Sequence, residues 1–92
     1  MKLVEAIDKL EALNDEATIY ASEPWNEDSI AITVPEPDDG GLPEEAKRLG
    51  LRYFLEVFLA REFLEDWVAG LGAEPSSKEK CARVIQYAIK DA

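Results

Sequence analysis

The chain has 92 residues, 47% apolar and 33% charged, with twenty Asp and Glu against ten Lys and Arg for a formal net charge of −10. That length fits one compact core, and the aromatic residues, 9% of the chain, set it apart from disordered sequences. The longest wholly apolar run, 57–60, falls far short of the ~20 residues that span a bilayer, and with Glu5 so early and no apolar signal segment the expected compartment is the cytoplasm.

Leu3, Ile7, Leu10 and Leu13, supported by Val4 and Ala6, recur at helical spacing and predict an amphipathic helix over 2–13. Asn14 and Asp15 favour a turn after it. Residues 17–21 alternate Ala17, Ile19 and Ala21 against Thr18 and Tyr20, which predicts a strand. Residues 29–34 alternate more cleanly, with Ile30, Ile32 and Val34 on one face, and predict a second strand. The link 22–28 is too short for a crossover helix, so the two strands form an antiparallel hairpin.

Two prolines and two glycines make 35–41 a loop. Pro43, Glu44 and Glu45 have the composition of a first helical turn, and Gly50 ends that short helix. Residues 51–58 satisfy either period. Leu51, Tyr53, Leu55 and Val57 would share one face of a strand, whereas Leu51, Phe54, Leu55 and Phe58 suit a helix. The strand is adopted because Gly50 breaks the chain before it and a two-stranded sheet is rarely stable alone. Ala60, Phe63, Leu64, Trp67 and Val68 then predict a helix over 58–69, with Arg61 in reach of Glu65. Ser76 or Ser77 caps a last helix whose apolar stripe is Cys81, Val84, Ile85 and Ala88.

The expected fold class is therefore α+β: a small antiparallel sheet of two or three strands covered by helices, in the order helix, strand, strand, short helix, strand, helix, helix. The whole chain, 1–92, is read as one domain.

Charge is distributed unevenly along this order. Residues 10–46 hold eleven carboxylates and no Lys or Arg, whereas the remainder is nearly neutral. Such a stretch repels nucleic acids and anionic membranes, both of which require positive charge. It would accelerate encounter with a basic protein. Acidity that serves only solubility is the plainer alternative.

With no histidine and only Cys81, neither Ser-His nor Cys-His nucleophiles nor soft-ligand metal sites can be assembled within one chain. Cys81 itself sits in a helical pattern and reads as a buried thiol. No phosphate-binding glycine motif occurs. Glu62, Glu65 and Asp66 cluster near Trp67 but read as a solvated helix surface. Asp38-Asp39-Gly40 lacks the alternating ligands of a calcium loop and reads as a turn. No cofactor is expected.

Trp25 stands among carboxylates in the hairpin link. It is either an exposed anchor for a basic partner or a ring folded back onto the sheet. The run 17–20, the Trp25 loop, 53–57 leading into Glu65-Asp66-Trp67, and the ending 87–92 resemble small acidic bacterial domains of uncharacterised function. That resemblance implies a bacterial cytoplasmic α+β domain and assigns no functional residue.

The leading expectation is a non-enzymatic module, of inhibitor or immunity type, presenting Glu23, Trp25, Glu27, Asp28, Glu36, Asp38 and Asp39 to a basic protein. The alternative is a structural or regulatory module that self-associates through aromatics of the helix over 58–68.

Overall fold

Both faces of the first predicted strand are used. In the computed structural model, which describes residues 1–91, β1 (Ala17–Ala21) is the centre of a three-stranded sheet. It lies between β2 (Ala31–Pro35) and β3 (Arg52–Glu56), antiparallel to each. All five β1 residues are buried. Ala17, Ile19 and Ala21 enter the main core with α1 (Leu3–Asp8), α3 (Val57–Ala69) and α4 (Ser77–Asp91). Tyr20 faces the opposite side and meets Ala46 of α2 (Glu44–Leu49), Leu51, Ile32, Val34 and Leu42. This is the expected α+β fold, with helices on the two faces of a small antiparallel sheet.

The final helix begins as expected. The Glu79 amide donates to Ser76 Oγ at 3.2 Å, while the Ser76 amide donates to Glu79 Oε1 at 2.9 Å, a reciprocal box that satisfies two free N–H groups. Gly50, at φ 73°, supplies the left-handed residue that ends α2. Leu51 can then donate to the Ala46 carbonyl and turn its side chain under the sheet.

Four expectations are corrected. The first helix does not run to Leu13: α1 stops at Asp8, and a 3-10 turn covers Leu10–Ala12. Arg61 from α3 takes the Leu10 carbonyl through Nε at 3.1 Å and the Leu13 carbonyl through Nη2 at 2.7 Å, so these acceptors do not need a continued helix. Arg61 accordingly pairs with Asp15 and not with Glu65.

The second strand begins at Ala31, because Ser29 is spent in the preceding loop, where its hydroxyl donates to the Pro24 carbonyl and accepts from the Asn26 amide. It ends on Pro35, which pairs with Ala17. The Ile30 carbonyl accepts from Ser22 and the Ala31 amide donates outward to Met1. Alternation therefore turns Pro35 outward, where a missing N–H costs nothing on an edge strand.

In β3 the expected face of Leu51, Tyr53, Leu55 and Val57 is divided. The register with β1 slips between Ile19, opposite Leu55, and Tyr20, opposite Tyr53, leaving Phe54 as the extra residue of a bulge. Phe54 and Leu55 can then both enter the main core, while Tyr53 stays on the Tyr20 side.

Candidate functional site

The seven residues singled out from sequence fall into two groups at opposite ends of the β1–β2 hairpin. Glu23, Trp25, Glu27 and Asp28 lie in the connecting loop, and Glu36, Asp38 and Asp39 follow β2. Five strand residues separate the groups, about 16 Å at the rise of a β-strand. They do not form a single site.

The hairpin-loop group is largely committed to structure. Its backbone carbonyls at Ser29 and Glu27 accept the Leu3 and Val4 amides, the first free donors of α1. Asp28 pairs with Lys2 at 3.3 Å and Glu27 with Lys78 at 3.6 Å. Trp25 is half-buried, packed edge-to-face on Phe54 with ring centroids 4.8 Å apart. The folded-back reading holds for this ring.

The other end is open. Glu36, Asp38 and Asp39 are exposed and have no cation within ion-pairing distance among the described residues. Asp39 Oδ1 accepts the Gly41 amide at 2.8 Å and the Gly40 amide donates to the Pro37 carbonyl at 2.9 Å, which makes 37–41 the turn expected of it. This turn closes over a pocket of about 260 Å3 lined by Tyr20, Glu36, Gly40, Gly41, Leu42 and Tyr53. The two tyrosine rings meet edge-to-face, centroids 6.4 Å apart.

Tyr20 is 1% exposed, and Thr18 is a polar side chain beside its buried hydroxyl. Burial first, and then the Glu36 carboxylate, raises its pKa. Tyr53 is raised by burial, then by Glu56 and Glu36. Both phenols therefore remain protonated at neutral pH beside the same carboxylates.

Neither tyrosine was singled out from the sequence. The available signal was Tyr20 itself, a large polar aromatic on what alternation made the outer face of a strand. Only the pairing of β3 reveals that Tyr53 joins it.

A second concavity lies between α1 and α3, about 430 Å3, with Ile7, Leu10, Leu64 and Val68 as its apolar floor. Glu11 and Glu65 meet at its rim, where repulsion from Glu11 and a hydrogen bond with it raise the Glu65 pKa. Glu62, Glu65 and Asp66 are exposed, as the solvated-surface reading expects. Cys81 is buried, its thiol pushed up to about 11 by burial, then by Glu27 and Asp8.

Comparison with protein-family models, curated proteins and solved structures finds no match. Among the described residues no helix is long and apolar enough to cross a membrane.

Proposed function

We propose that the protein is a non-enzymatic binding module for a basic protein, of inhibitor or immunity type, and that the partner docks at the 36–41 end of the hairpin. The observation that carries this reading is the contrast between the two acidic ends. Lys2 and Lys78 answer Asp28 and Glu27 and leave only Glu23 unpaired at that end, whereas Glu36, Asp38 and Asp39 all stand unanswered among the described residues. Uncompensated carboxylates at one end supply the field that steers and orients a basic partner.

The test is affinity capture from source cells at low and moderate salt with three baits. These are the native chain, Glu36→Lys/Asp38→Lys/Asp39→Lys, and Glu23→Lys/Glu27→Lys/Asp28→Lys. A basic protein retained by the first and third baits and lost from the second supports the reading. Equal retention by all three sinks it.

Self-association has supporting observations in Phe58 on α3, which is 50% exposed, and at the β3 edge. On α3, Phe63 stacks on Tyr87, and Arg83 lies 5.9 Å from the Phe63 and Trp67 ring centroids. The outer edge of β3 is unpaired among the described residues. Antiparallel pairing of two such edges would set Arg52 of one copy beside Glu56 of the other. Light scattering on the native chain and on Glu56→Arg decides it, since a dimer of this kind dissociates in the variant.

A further inference from the structure

We infer that the groove between α1 and α3 is a docking site for an amphipathic, basic helix of a partner protein. The partner's apolar residues lie on α3 and one of its Lys or Arg side chains lies between Glu11 and Glu65. This is a second surface, independent of the 36–41 end.

The groove follows one face of α3. Arg61, Leu64, Glu65, Val68 and Ala69 recur at i, i+3, i+4, i+7 and i+8, so this wall extends about 12 Å, or two helical turns. Ile7 and Leu10 back the groove from the core and are buried beyond a partner's reach. Leu64 and Val68 are half-buried and Ala69 is exposed, so these three form the apolar surface that a partner meets. A second helix laid along them presents its own apolar side chains at the same spacing over the same two turns. The volume of about 430 Å3 falls within the range of binding clefts.

Charge selects which helix fits. Of the two cations that line the groove, Arg61 is taken by the Leu10 and Leu13 carbonyls and by Asp15, and Lys80 is taken by Glu74 at 2.6 Å. Asp8, Glu11 and Glu65 line it too, with no cation within ion-pairing distance among the described residues. A neutral or acidic helix would leave these carboxylates unanswered, whereas a basic one answers them.

The contact between Glu11 and Glu65 is a separate observation that points to a cation. The 3-10 turn and α3 bring the two carboxyl groups within hydrogen-bonding distance of each other. Carboxylates this close either share a proton or repel. Glu65 is accordingly held above its ordinary pKa by Glu11, with burial and Asp66 acting in the same sense and Arg61 opposing them. An ammonium or guanidinium group placed between the two takes the role of the proton and removes the repulsion.

The test is an NMR titration of the full, isotope-labelled chain at neutral pH. The probe is an amidated peptide of about 14 residues, long enough to form a helix, with leucines at helical spacing and lysine elsewhere. One control replaces every lysine by glutamate, and the other is an oligolysine of the same length. Saturable shifts at the amides of Glu11, Glu65, Val68 and Ala69 with the probe, and none there with either control, are expected.

Glu11→Gln/Glu65→Gln should weaken binding about tenfold. Because this change removes a repulsion, urea unfolding should show a chain no less stable than the native one. Ala69→Lys, at an exposed position, should abolish binding by adding bulk and positive charge to the groove. Glu44→Gln/Glu45→Gln removes the same amount of charge from α2 and should leave affinity unchanged.

Silence, shifts confined to 36–41, or equal response to either control overturns the docking site. So does an equal loss of affinity in the two glutamine variants, which would reduce the effect to net charge. Shifts at the groove that grow with protein concentration in the absence of peptide would assign it to a second copy of the chain and overturn the basic partner helix.

Discussion

Arg61 on α3 and Leu10 in the turn after α1 are joined by the Arg61 guanidinium, whose Nε donates to the Leu10 carbonyl at 3.1 Å. The same group reaches the Leu13 carbonyl and Asp15, so one side chain holds the 3-10 turn that follows the first helix. Arg61→Met should destabilise the protein by about 1–3 kcal/mol, the cost of leaving part-buried acceptors unpaired. Arg61→Lys should recover only part, because an ammonium cannot reproduce the planar fork. Urea unfolding of the three proteins checks the order native, Lys, Met.

The Glu11–Glu65 pair works against the fold at neutral pH. Because Glu65 has a raised folded-state pKa, its favourable contribution is complete below its unfolded value and is lost as pH rises through the folded one. Glu11→Gln removes the repulsion. Its urea midpoint should exceed that of the native chain at neutral pH and converge with it below the ordinary glutamate value of 4.5. A gap that persists unchanged in acid counts against the pair.

Glu79 behaves in the opposite sense. Hydrogen bonds from the Ser76 amide and hydroxyl lower its folded-state pKa. The associated stability is present above the unfolded value and is lost as pH falls through the folded one. Ser76→Ala should cost about 0.5–2 kcal/mol at neutral pH, the range measured for lost N-caps. The cost should shrink in acid, where Glu79 is protonated in both proteins, and circular dichroism melts at two pH values show whether it does.

Cys81 should be inert in the native state. Its pKa of about 11 against an ordinary 9.0 leaves roughly 100-fold less thiolate at mildly alkaline pH, before burial of the sulfur is considered. Iodoacetamide should therefore label the thiol at the unfolding rate in buffer and immediately in denaturant. Rapid labelling of the folded chain would show that α4 does not pack Cys81 into the core.

Tyr20→Phe should change stability by no more than about 1 kcal/mol, since the buried hydroxyl it removes makes only a loose contact with Thr18, and urea unfolding checks this.

The elements whose hydrophobic period is a local property were legible in the sequence. Alternation in 17–21, the stripe of Cys81, Val84 and Ala88, the Ser76 cap and Gly50 each specify their own structure, because each depends on neighbours within a few residues. The α+β class follows from their order. The acidic stretch was legible as a composition too, and its division followed from the predicted hairpin, but which end the lysines reach was not. Pairing β1 with β2 sends the two acidic loops to opposite ends of the hairpin, and Lys2 and Lys78 reach only one of them.

What the tertiary structure alone decided depends on contacts between distant parts of the chain. Arg61 holds the 3-10 turn after the first helix from 51 residues away. The bulge at Phe54 exists only relative to β1, and the register it sets is what brings Tyr53 beside Tyr20. Local propensity is blind to such pairings, since the partner that determines each of them is chosen by packing. The sequence thus determined the fold class and the amount of acidity, while the three-stranded register decided where that acidity meets an aromatic pocket.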